Sequence, residues 1–203
     1  MATTNPTRRT QQERRAASRT ALVRAAAQGI ARTGYTRLSL EEVARVAGYS
    51  RGALYHQFAG KEEVALAVVE WVDRTWDAEV GPALDRTGDP AELLLALAAE
   101  HARFCRRHDV ARVIQVLRIE FNDPEHPVGR AIAATVAKTE ADLLRLIRAG
   151  RRDGSIPPGP PATQTAQALG HALEAVSIGV AGAPYDVALA VRAARGILGL
   201  PAD

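Results

Sequence analysis

"GYTRLSLEEVARVAGYSRGALYHQFAGKEEV", residues 34–64, decides how the chain folds. Ser39 is followed three residues later by Glu42, the spacing of a capping box in which each side chain satisfies an orphan backbone N–H. Leu40, Val43, Ala44 and Ala47 make one apolar stripe, which predicts a short helix stopping at Gly48. Ser50 caps a second short helix, Arg51 to about Gln57, with Leu54 and Phe58 turned inward. Two such helices joined by Gly48, Tyr49 and Ser50 have the proportions of a helix-turn-helix, whose tight turn often contains glycine. Ala44 falls at their crossing, where a larger side chain would push them apart.

Outward from that stretch every pattern is helical. Upstream, Leu22, Ala26 and Ile30 recur at helical spacing from Gln11 to about Thr33, and "TGY" supplies a glycine where a left-handed C-terminal residue is wanted. Residues 1–10 read as a basic, flexible arm. Downstream, one helix runs from Lys61 to about Gly81, and Asp89 with Pro90 opens another that reaches about Arg107. "DVARVIQVLRIEF" follows, then Val128 to Arg152, then "DGSIPPGPP", a break no helix can cross. Two further helices close the chain. The fold class is all-α with about nine helices: a three-helix module over residues 1–60 and a helical body over 61–203.

Charge divides the chain at the same place. Residues 1–60 hold ten arginines against three glutamates, a net of +7, while the whole 203-residue chain carries only +3. A basic module on a mildly acidic body is a cue for nucleic acid, although a solvated basic face fits the charge alone equally well. Aromatics are 4%, so the core must be built of Ala, Leu, Val and Ile. One cysteine, Cys105, permits no internal disulfide and points to a reducing compartment. The polar N-terminus lacks the apolar segment of a signal peptide, and no stretch is long and apolar enough to span a membrane; the expected location is cytoplasmic.

With Leu54 and Phe58 inward, the helix from Arg51 leaves Arg51, Gly52, Ala53, Tyr55 and His56 largely outward. Arg51 can reach base edges in a major groove, and Gly52 allows close approach. Ser50, Tyr55 and His56 are hydrogen-bonding types suited to phosphate oxygens, as is Lys61 at a helix start. Ser39, at the preceding helix start, completes the candidate DNA-facing set. Capping and DNA contact are compatible for Ser50; packing and surface roles fit Tyr55 and His56 as well.

The run Gly34 to Val64, with "ALVRAAAQGIARTGY" before it, resembles the N-terminal DNA-binding domain of TetR-type (tetracycline-repressor-like) transcriptional regulators. The shared features are the Gly-aromatic after helix 1, S-x-x-x-V-A-x-x-A-G, S-x-G-x-L-Y-x-x-F and K-E-E. The sequence departs from that pattern at Gly29, which is usually larger, and at Tyr49, usually Val; Tyr49 is expected to fill the volume that Gly29 leaves. The resemblance implies a homodimer on an inverted-repeat operator, its two recognition helices roughly 34–36 Å apart. It implies dimerisation through the last two helices, and a small-molecule effector held by the helices between about Pro90 and Arg152. In the penultimate helix Ala168, Ala172, Ala175 and Gly179 permit close approach beside Leu169, Leu173, Val176 and Val180, a pattern that an internal packing face shares.

Candidate effector contacts are Trp71, Phe104 and Phe121 for apolar surface, with Arg118, His171 and Glu174 as polar anchors; Trp76, His101 and Glu120 are further possibilities. His101, Cys105 and His108 share a helical face at a spacing that could hold a metal; a buried cysteine between two histidines near a helix end reads the same way and is favoured. No motif calls for a cofactor. G-x-S-x-G, P-loop, G-x-G-x-x-G and H-E-x-x-H are all missing, and the pairs Glu41/Glu42 and Glu62/Glu63 stand at helix starts, where dipole and capping explain them. Against an enzyme, the sequence favours a DNA-binding regulator, with a non-inducible architectural DNA-binding protein as the alternative.

Overall fold

A computed structural model describes residues 10–84, 86–108 and 110–201. Most of the arm expected over residues 1–10 therefore lies outside the described residues. The first helix, α1 (Gln11–Thr33), begins with a complete capping box. Thr10 Oγ1 accepts from the Glu13 N–H at 3.2 Å, and Glu13 accepts from the Thr10 N–H at 2.8 Å. Thr10 thus belongs to the helix start rather than to the arm expected there. α1 ends at Gly34, whose φ of 83° and ψ of 162° lie outside the left-handed helical region expected, yet still where a side chain is strained.

α2 (Leu40–Val46) carries only half of its predicted capping box. Ser39 Oγ accepts from the Glu42 N–H at 3.4 Å, but the Glu42 carboxylate takes Arg45 at 2.6 and 2.8 Å. A charge-assisted bidentate bond outcompetes a bond to a backbone N–H that water can reach. α3 (Arg51–Tyr55) is two residues shorter than expected, and its exit is tied to α1. Gln57 Nε2 donates to Ser18 Oγ at 3.0 Å, Arg19 donates to the Gln57 carbonyl at 3.0 Å, and the Arg19 guanidinium lies 4.4 Å from the Phe58 ring centroid. Gly29 corrects the sequence expectation: the neighbour filling its space is Leu38, whose Cδ1 would lie 2.6 Å from an added Cβ, whereas Tyr49 is exposed.

The body follows as α4 (Lys61–Glu79), a 3-10 turn at Gly81–Ala83, α5 (Pro90–His108), α6 (Val110–Glu120), α7 (Pro127–Asp153), α8 (Ala162–Val180) and α9 (Asp186–Leu198). That makes nine α-helices and no strand among the described residues. α4 and α6 both pack on α1, so the three-helix head is seated on the body by two elements. α5 lies against α7, α8 and α9, and α7 against α8. After α7 the chain turns at Gly154, and the Ile156 side chain fits over Gly150, where a Cβ would clash at 2.6 Å.

The outer pair α8 and α9 separates what the sequence left mixed. Leu169 and Leu173 are buried within the chain's own core, while Ala168, Ala175 and Gly179 stay exposed and Gly179 has open space around it. The start of α9 is fixed by Asp186, 2% exposed, which accepts from Arg106 Nε at 2.9 Å, from a second Arg106 N–H, and from the Gly182 N–H at 2.8 Å.

Candidate functional site

Ser50, Arg51, Gly52, Tyr55 and His56 are exposed together along α3, with Ala53 half-buried and Leu54 in the core. Ser50 Oγ accepts from the Ala53 N–H at 3.2 Å, so its capping role is filled while its hydroxyl proton stays available to an acceptor. Ser39 is likewise an exposed cap. The Arg51 guanidinium pairs with Glu41 of α2 and lies 5.5 Å from the Tyr55 ring centroid. Lys61 is half-buried: its Nζ donates to the Thr36 carbonyl at 2.8 Å and sits 4.6 Å from the Tyr35 ring centroid. Two of its three N–H donors remain for a phosphate. Because Glu41 competes for Arg51 and adds a negative charge beside it, Glu41→Gln is expected to tighten binding to random-sequence duplex DNA a few-fold at low salt. The gain should shrink as salt rises, and a salt-titrated anisotropy measurement checks it.

The seam between head and body turns on one carboxylate. Glu120, the last residue of α6, accepts from the Tyr35 N–H at 2.8 Å, the Thr36 N–H at 2.7 Å and the Thr36 hydroxyl at 2.6 Å. Burial works against its charge, but those donors and the nearby Lys61 hold its pKa below the usual glutamate range. Phe121 belongs to the same seam, its ring 4.6 Å from that of Tyr35 and 4.5 Å from that of His126.

A cavity of about 100 Å³ lies among α4 to α8, lined mostly by apolar side chains such as Leu97, Ile114, Leu143 and Leu173. Of the candidate effector contacts, Phe104, Arg118, His171 and Glu174 line it. Trp71 and Phe121 do not: Trp71 turns its ring toward His108, and Phe121 is committed to the seam. Helical spacing fixes which way a side chain leaves its helix, not which neighbour the helix will meet. Arg118 donates to Glu174 at 2.5 Å across the cavity wall.

Trp76, also on the lining, donates its indole N–H to His101 Nδ1 at 3.2 Å. Indole only donates, so neutral His101 carries its proton on Nε2, which faces Cys105 Sγ at 3.5 Å. Burial lowers the His101 pKa to about 4, leaving the ring uncharged at neutral pH. The three residues with metal-ligand spacing do not converge, because His108 Nε2 turns to Glu79 at 2.8 Å. Among the described residues no group of three or more His, Cys, Asp or Glu side chains is placed to hold a metal.

A helix-turn-helix head seated on an all-helical body that encloses an apolar cavity is the class that this fold defines. Residues 22–68 match the family model described as bacterial regulatory proteins, tetR family. The chain is 31% identical over 139 residues to the A-factor receptor protein of Streptomyces griseus, a match covering 68% of this chain and 45% of that protein. A TetR-family transcriptional regulator from Agrobacterium tumefaciens shares the fold with a TM-score of 0.76 at 20% identity, covering 91% of this chain and 97% of that one. AibR, solved in complex with isovaleryl coenzyme A and operator DNA, shares it with a TM-score of 0.74 at 21% identity, covering 90% and 96%. Residues 22–68 thus form a tetR-family module of bacterial regulatory proteins, on a chain whose fold is that of TetR-family regulators.

Proposed function

We propose that the chain is a cytoplasmic, sequence-specific DNA-binding transcriptional regulator, a homodimeric repressor released from an inverted-repeat operator by a small-molecule effector. The observation that carries the reading is the capped α3, which presents Ser50, Arg51, Gly52, Tyr55 and His56 to solvent from the basic end of the chain. Residues 1–60 then form the DNA-binding unit and 61–203 the effector and dimer unit. Arg51 and Gly52 approach base edges, Ser50, Tyr55, His56 and Lys61 face phosphates, and Ser39 and Ala53 complete the DNA-facing set. The exposed small residues of α8, with Leu189 of α9 43% exposed nearby in sequence, supply a face for a second copy. AibR, bound to both an acyl thioester and its operator, supports the pairing of the two activities in one fold. In this chain α6 carries Arg118 on the cavity and Glu120 at the head, two residues apart, so an occupant that shifts α6 shifts the seat of α1 and α2. Coupling of about 1–3 kcal/mol is ordinary for such linked sites.

Footprinting on the DNA upstream of the chain's own gene, at two salt concentrations with excess competitor, is the test. A protected inverted repeat that survives competitor is expected, and Arg51→Ala should relax specificity at one or two base positions by about 1–3 kcal/mol. Uniform, salt-fragile binding across operator and random DNA, with no difference between Arg51→Ala and the parent, would favour the architectural alternative instead.

A further inference from the structure

Two carboxylates open α2, and they take different partners. Glu42 is spent within its own helix, accepting from Arg45 at 2.8 and 2.6 Å. Glu41 reaches instead to the neighbouring helix and accepts from Nη1 of Arg51, the first residue of α3. The two side chains are 66% and 64% exposed, so water screens the pair and it adds little to stability. Its consequence lies in how Arg51 is held. The guanidinium also lies 5.5 Å from the ring centroid of Tyr55, one turn along α3, so it is restrained at two points. Its Nε and Nη2 donors take no partner among the described residues. That remaining edge offers two parallel N–H groups, the fork that fits either the O6 and N7 of a guanine or two oxygens of a phosphate. Shape does not separate those two acceptors, but charge does. A phosphate brought to Arg51 meets the Glu41 carboxylate well inside the screening length of about 8–10 Å at ordinary salt, whereas a guanine edge carries no charge. Beside Arg51, Gly52 and Ala53 have no side chain long enough to obstruct a base edge.

We infer that Glu41 is a specificity-determining residue of the α3 surface: it positions Arg51 to read a guanine through the Nε–Nη2 edge and disfavours capture of that arginine by the phosphate backbone. Specificity is a difference of affinities, and a carboxylate beside the reading arginine acts on both sides of it, holding the fork for the base and repelling the backbone. The inference rests on the reading of α3 as the recognition helix.

The test begins with the full chain selecting binding sites from a random-sequence duplex library. Each guanine of the enriched site is then replaced in turn by 7-deazaguanine, which lacks the N7 acceptor, and binding is measured by anisotropy. In the parent chain one such replacement is expected to weaken binding roughly fivefold, and in Arg51→Ala the same replacement should have no effect. In Glu41→Gln the loss at that guanine should fall below about twofold, while random-sequence duplex is bound a few-fold tighter. Glu41→Asp restores the carboxylate and should return the loss toward the parent value. A parent site in which no 7-deazaguanine effect depends on Arg51 overturns the inference, and so does a Glu41→Gln variant that keeps the full loss. Gln and Asp variants that behave alike overturn the role of the charge. No enriched site from the parent chain removes the reading of α3 as a recognition helix, and the inference with it. Melting temperatures of the variants near the parent value show that the changes report recognition, and a variant that does not fold leaves the comparison of the other Glu41 variant with the parent to decide.

Discussion

Asp186→Asn is expected to destabilise the chain by about 2–3 kcal/mol at neutral pH, because it uncouples a buried carboxylate from the arginine that neutralises it. Asp186 accepts two N–H groups from Arg106 and the backbone N–H groups of Gly182 and Val187, and it stands at the first position of α9, where the helix dipole favours a negative charge. Asparagine keeps the shape but loses the charge and half of the acceptor capacity. Arg106 is about half exposed, so water recovers part of the loss, which sets the estimate below that for a fully buried pair. In a chain of this size the change should lower Tm by about 4–12 °C.

The same contact gives the pH dependence its sign. The hydrogen bond from Arg106, with help from the two backbone donors, holds the Asp186 pKa down to about 2 from an ordinary 3.8. The stabilisation is therefore complete above about pH 4 and is lost as pH falls toward 2. Thermal melts across that range should show a steep acid loss in the parent chain and a flatter one in Asp186→Asn. Equal slopes, or an unchanged Tm at pH 7, would remove Asp186 as the anchor of α9.

Gly34→Ala is the second large effect, expected at about 2–4 kcal/mol from two separable causes. One is backbone strain at φ 83°, ψ 162°, a region left to glycine. The other is the Glu120 carboxylate, whose Oε1 would lie 2.7 Å from the new Cβ. Glu120→Ala alone should cost about 1–2 kcal/mol, since the backbone donors of Tyr35 and Thr36 that it releases are partly reached by water. In the double variant the clash is gone while the strain stays, so the combined loss should fall short of the sum by at least about 0.5 kcal/mol. Urea denaturation of the four proteins measures that coupling, and simple additivity would mean that the carboxylate does not press on Gly34.

Much of the head was legible because its signals are local. Ser39, Ser50, Gly48 and the spacing of Leu54 and Phe58 act within a few residues, so order in the sequence is nearly order in space. Even there, tertiary competition decided details: Glu42 left its capping role for Arg45, and Leu38 rather than Tyr49 took the space over Gly29. The effector contacts were less legible. Trp71 on α4 and Phe121 just past the end of α6 had the right residue type near the cavity, but ring packing against His108 and Tyr35 turned them elsewhere. Glu120 stood in the sequence only as one more polar candidate for the effector.

Sequence alone determined the helices of the described residues, the helix-turn-helix and the side chains that α3 presents to solvent, since propensity, capping and periodicity are properties of short segments. Only the tertiary structure decided that Glu120 holds Tyr35 and Thr36, that Arg106 holds Asp186, and that Arg118 pairs with Glu174 on the cavity wall. Those contacts join residues more than fifty positions apart, and no local periodicity encodes which charged side chain will find which partner once the helices pack.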